Sequence, residues 1–169
     1  MKNNPFWGNP FKKDTADMKT DIGFLSSVPI FDSLSKRQKM KLYTIIYVRN
    51  YEKDEVVFRQ GDPGVGMYIV KEGSVEVFAE YDNLTCRKIA TLYKGEFFGE
   101  TSLLNESPRS ATIISAEKSV LWGLFKPDLM NLMDSDSKLG LRLVLRLSQV
   151  VSERLRLVNI EFSRFEHGV

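Results

Sequence analysis

One cysteine, Cys86, and one histidine, His167, are all that this 169-residue chain holds of either type. A single cysteine excludes an intrachain disulfide and fits a reducing compartment, so a cytoplasmic location is expected. The same scarcity leaves no material for a histidine/cysteine zinc site or for Ser-His or Cys-His nucleophilic catalysis. The chain is therefore expected to be no enzyme and to carry no metal and no cofactor. No apolar run approaches the ~20 residues of a membrane-crossing helix, so no membrane insertion is expected. The opening MKNNPFWGNPFKK lacks the apolar stretch of a secretory signal. Charge of one sign is also scarce: 24 Lys and Arg against 22 Asp and Glu leave a formal net charge of +2. That balance does not point to nucleic acid, and any anion site has to come from local arrangement.

What is present is an ordinary core-forming composition, 43% hydrophobic and 27% charged, in a chain of one-domain length. Residues 1–20 carry Pro5, Gly8 and Pro10 without helical or strand period, and are expected to be a flexible tail. Within them Asn4-Pro5-Phe6 recurs as Asn9-Pro10-Phe11, with Trp7 between. The repeat reads either as a loosely packed leader or as a docking peptide for a partner. Residues 21–50 have helical spacing, with Phe24, Leu25, Val28, Phe31 and Leu34 on one face. Ser35 is a good N-cap for a second helical run, expected over Lys36 to Val48.

From Tyr51 the period changes to two. Gln60-Gly61-Asp62-Pro63-Gly64, Lys71-Glu72-Gly73, Asp82-Asn83 and Gly95 are turn signals between short apolar strands, among them Met67–Val70, Ile89–Leu92, Ile113–Ser115 and Val120–Phe125. After Pro127 the helical period returns, breaks over Asp134–Ser137, and resumes from about Lys138 to Phe165. The pattern predicts an α+β fold: a β-jelly-roll (double-stranded β-helix) sandwich with N-terminal helices, a C-terminal lid helix and a long terminal helix. The expected division is a tail over 1–20, a folded domain over 21–137 and the long helix over 138–169. The second half of that helix narrows to a stripe of Val151, Leu155, Val158, Phe162 and Phe165. Steps of three and four suit either core packing or a two-helix seam.

One stretch breaks the alternation: Gly95-Glu96-Phe97-Phe98-Gly99-Glu100-Thr101-Ser102-Leu103-Leu104-Asn105-Glu106-Ser107-Pro108-Arg109-Ser110-Ala111-Thr112. Gly99 permits close backbone approach by a ligand. Residues 100–104 can form one helical turn, whose free N–H groups suit a phosphate. The planar fork of Arg109 suits two phosphate oxygens at once. Glu100 would repel phosphate, so it is expected to meet a hydroxyl of the same ligand. An acceptor for a sugar hydroxyl beside a cation for a phosphate describes a nucleotide.

This segment closely resembles the phosphate-binding cassette of the cyclic nucleotide-binding domains found in cAMP-dependent kinase regulatory subunits, gated channels and catabolite activator proteins. Phe98, Gly99, Glu100, Leu103, Leu104, Pro108, Arg109, Ala111 and Thr112 carry the match, and it extends over residues 22 to 150. The resemblance implies that 21–137 is such a domain and that its ligand is cAMP, with cGMP second. It implies that Glu100 accepts the ribose 2′-hydroxyl, that Arg109 pairs with the phosphate, and that N–H groups near Ser102 and Ala111 complete the cradle. The ligand-binding set is Phe98, Gly99, Glu100, Thr101, Ser102, Arg109, Ser110 and Ala111. Ser110 stands where the family favours alanine in cAMP sites and threonine in many cGMP sites. Thr101 replaces the usual larger aliphatic residue, which bears on signalling to the hinge.

The resemblance also makes the C-terminal helices the moving part, with Met130–Met133 and the long helix as the lid and Arg154 and Arg156 as base-capping side chains. The residues after the long stripe are too few for a DNA-binding unit, so the chain is expected to signal to a protein partner in trans, a second copy bound through the C-terminal helix being one such partner. A ligand-free interaction module with the same fold is the other reading of the pattern.

Overall fold

Alternating apolar residues in the middle of the chain close into two antiparallel sheets, four strands each. The computed structural model describes residues 15–82, 85–105 and 107–167. The first sheet has the order β1 (Tyr47–Tyr51), β8 (Ser119–Phe125), β3 (Gly66–Glu72), β6 (Phe97–Phe98). The second has the order β2 (Val56–Phe58), β7 (Thr112–Ser115), β4 (Ser74–Asp82), β5 (Thr85–Tyr93). Apart from the β4–β5 hairpin, chain neighbours alternate between sheets, the winding of a jelly roll. Strand alternation sorts the side chains: on β3, Met67 and Ile69 face the helices, while Val70, with half-buried Tyr68, packs between the sheets.

Helices cover the outer face of the first sheet. They are α1 (Thr15–Leu25), α2 (Lys36–Tyr43), α4 (Lys126–Ser135) and α5 (Ser137–His167), while α3 (Thr101–Leu104) is a single turn inside the roll's connections. Trp122 centres the larger core, 2% exposed, with the Phe24 ring edge-on at 5.2 Å and Tyr43 at 5.8 Å. Lys71 reaches into the same region: its Nζ lies 2.9 Å from Asp21 Oδ1 and 4.4 Å from the Phe24 ring centre. Leu139, Leu143 and Leu147 of α5 are buried in this core, each contributing about 2 kcal/mol by removal from water.

Three expected boundaries move. Helix α1 begins at Thr15, inside the stretch read as tail. Met18 packs on the core and Asp21 bonds to Lys71, and these tertiary contacts outweigh a weak local pattern. The Asn-Pro-Phe repeat itself lies outside the described residues. Helix α2 keeps its expected cap, with the Gln38 N–H donating to Ser35 Oγ at 3.3 Å and the Ser35 N–H donating to Gln38 Oε1 at 3.0 Å. It ends at Tyr43, not Val48, and Tyr47 and Val48 open β1 against β8. Aromatic and β-branched residues prefer that pleated setting, and the step of three from Tyr43 to Ile46 only imitates a helix. The break before the long helix is present at Asp136, yet 138 is no domain boundary, because the first half of α5 belongs to the core.

Candidate functional site

The segment that broke the alternation is held at both ends by backbone bonds. The Arg109 N–H donates to Asp62 O and the Gly61 N–H to Arg109 O, each at 2.9 Å. The turn receiving them is closed by the Arg59 N–H on Asp62 Oδ2 at 2.7 Å, and the Gln60 N–H donates to Thr112 Oγ1 at 2.9 Å. At the other end Gly99 leaves β6 with a φ of +73°, a region that favours glycine. A Cβ there would stand 2.5 Å from Arg109 Nη1. Gly99 is thus required by both conformation and space.

Arg109 is 6% exposed. Its Nη1 donates to Gly66 O at 2.6 Å, Gly99 O at 3.2 Å and Ser102 Oγ at 3.1 Å. The Phe58 ring lies under the guanidinium at 4.1 Å. Burial pulls its pKa below the ordinary arginine value, while Tyr68, Asp62 and Glu100 act in the opposite sense. It remains a cation at neutral pH. Its Nε is buried and has no hydrogen-bond partner. An unsatisfied buried donor on a cation is costly, and an anion would satisfy it.

Glu100 opens α3, but its side chain makes no capping bond. Its carboxylate side chain is 12% exposed and meets Arg154 of α5, whose Nη1 donates to Oε1 at 2.9 Å. Arg154 Nη2 donates to Phe97 O at 3.0 Å, and its guanidinium sits 4.3 Å from the Phe97 ring centre. Arg154 therefore reaches the site by way of Glu100. Arg156 does not: it bonds Glu153 on the exposed surface of its own helix, at 2.6 Å.

The remaining expected residues divide. Phe98 is buried between the sheets, stacked on Tyr68 at 5.7 Å and tilted against Phe58 at 5.8 Å. Ser102 is buried under Arg109, and its N–H is taken by Gly99 O at 3.2 Å. Thr101 and Ser110 are exposed, and Ala111 is half-buried just before β7. Sequence reasoning missed Phe58, Tyr68 and the Gly66 carbonyl. Tyr68 bonds to Tyr51, whose hydroxyl is pushed well above its usual pKa first by burial and then by Tyr68. The aromatic run of the flanking strands was the available signal for these residues.

Among the described residues no group of three or more His, Cys, Asp and Glu could hold a metal ion, and no helix is long and apolar enough to cross a membrane.

A family model described as cyclic nucleotide-binding domain matches residues 48–136. A cGMP-dependent protein kinase of Plasmodium berghei is 38% identical over 94 residues, covering 56% of this chain and 10% of the kinase. A cAMP-dependent protein kinase regulatory subunit of Dictyostelium discoideum is 37% identical over 95 residues, covering 54% of this chain and 29% of the subunit. The chain thus spans under a third of either relative. Among solved structures, the catabolite activator protein of Thermus thermophilus superposes with a TM-score of 0.74 at 30% identity, over 82% of this chain and 63% of that one.

Proposed function

The chain belongs to the cyclic nucleotide-binding domain family, and on that premise we propose that it is a regulatory sensor whose ligand is cAMP, with cGMP second. One observation carries the reading. Arg109 is buried with Nη1 held by three protein acceptors, yet its Nε has none. A phosphate oxygen at Nε supplies the missing acceptor and a countercharge together. Glu100, one residue past the Gly99 carbonyl that Arg109 bonds, supplies an acceptor for the ribose 2′-hydroxyl. The relatives divide between cGMP-dependent and cAMP-dependent kinases, so the choice of base rests on Ser110, whose small side chain fits an adenine site.

Calorimetry with cAMP and cGMP tests this. Arg109→Glu should abolish binding, and Arg109→Lys, which keeps the charge but not the fork, should weaken it roughly a hundredfold. Unchanged affinity in a folded Arg109→Lys protein refutes the role of Arg109.

For output we propose a second copy of the chain as partner, joined through α5. Leu141, Leu145 and Leu155 are exposed on the side of that helix facing away from buried Leu139, Leu143 and Leu147. Val144, Ser148, Val151, Leu155 and Val158 step by four and three, the repeat of a two-helix seam. Sedimentation velocity reads this directly.

A further inference from the structure

Strand β7 stops short of its partner. It pairs with β4 through Val75 and Ser115, Glu76 and Ile114, Val77 and Ile113, and Phe78 and Thr112. Carried further in the same register, the ladder would set Ala79 opposite Ala111 and Glu80 opposite Ser110. The chain instead bends at Ser110 and Ala111, while β4 runs on to Asp82 beside β5. The Arg109 backbone follows the other branch of this fork, donating its N–H to Asp62 O and accepting the Gly61 N–H.

Glu80 is paired with Cys86 of β5 on one edge and would be left open on the edge where Ser110 turns away. The Gln60 side chain fills that place. The Glu80 N–H donates to Gln60 Oε1 at 2.9 Å, and Gln60 Nε2 donates to Glu80 O at 3.0 Å. One acceptor and one donor are what a facing residue offers in an antiparallel ladder, and a primary amide carries both. Gln60 is itself fixed at the fork, since its backbone N–H donates to Thr112 Oγ1 at 2.9 Å.

We infer that Gln60 is a positioning residue: its amide stands in for the Ser110 backbone on β4, and so keeps Ser110 and Arg109 out of the sheet and at the nucleotide. The inference rests on the proposed roles of Arg109 and Ser110 and adds what places them. Without the amide, the open N–H and C=O of Glu80 are a template for the next residues of β7. The ladder then extends through Ala111 to Ser110 and draws Arg109 away from Gly61 and Asp62. Two bonds are lost and two of the same kind are gained, so stability changes little while the site is displaced. A residue that merely braced the roll would do the reverse.

Gln60→Met keeps the length of the side chain and removes both bonds. In the ligand-free variant, nuclear Overhauser contacts should appear between the Ser110 and Glu80 backbones that the wild type lacks. Calorimetry on the full chain should show cAMP binding weakened roughly three- to tenfold, the range of one net hydrogen bond, with the melting temperature little changed. Equal cAMP affinity, or a Ser110 that stays apart from Glu80 in the variant, overturns the role of Gln60 alone. A wild-type chain that binds neither cAMP nor cGMP overturns the reading of the site, and with it what Gln60 positions.

Discussion

Gly99 concentrates two demands at one residue: a φ of +73° and no room for a side chain beside Arg109 Nη1. Alanine there is strained by backbone and pushes the guanidinium off the carbonyls that aim it. Gly99→Ala should lose more than about 1 kcal/mol of stability and at least tenfold in cAMP affinity. Gly61 is the control, because it has a φ of +86° but nothing within 4 Å of an added Cβ. Gly61→Ala should show the stability loss with far less effect on binding, and matched effects at both positions would remove the packing argument. At this scale the sequence was most legible. Gly99, Glu100 and Arg109 lie within one segment, and their chemistry follows from residue type. What could not be read was the company Arg109 keeps: Gly66 is 43 positions away in sequence and contributes a backbone carbonyl, which has no signature of its own.

The junction of α4 and α5 is one residue, Asp136. Its Oδ1 accepts the Leu139 N–H at 3.1 Å, capping α5, and its Oδ2 accepts from Lys41 of α2 at 2.6 Å. The Lys41 bond first, and the Leu139 N–H second, hold this carboxyl below the ordinary carboxylate range. A depressed folded-state pKa gives stability that is present above the ordinary value and lost as pH falls through the lower one. Melting temperature should therefore drop between about pH 5 and pH 3, and Asp136→Asn, which keeps a cap but no titrating charge, should drop less. Parallel curves would show that Asp136 does not set the acid sensitivity. Elements were less legible than residues. The break at 134–137 was visible because Asp and Ser interrupt an apolar helix. The start of α1 and the whole of β1 were not, since Met18 and Asp21 acquire their meaning from the core and Lys71, and Tyr47 acquires its from β8.

Over the whole molecule, α5 is core through Leu147 and exposed over residues 155–160, which sets what association would do. If copies pair along its outer face, wild type should sediment as a dimer, and Leu145→Asp with Leu155→Asp should sediment as a monomer of unchanged helicity. A monomeric wild type removes the self-association proposal and leaves the nucleotide site untouched. The roll itself was legible from turn spacing and alternation, but the Arg154–Glu100 contact was not, because 54 residues separate the two partners and each reads alone as a surface charge. The pairing of β1 with β8 has a consequence in time. Tyr47–Tyr51 must find Ser119–Phe125 before the first sheet is complete, and the chain between them holds every residue from Gly99 to Arg109. Bringing such distant strands together costs loop entropy early and is repaid late, so a roll of this winding folds slowly. The residues around Arg109 all lie inside that loop and meet through β3 with β6 and β2 with β7, so the anion pocket can assemble before the last pair of strands closes the roll around it.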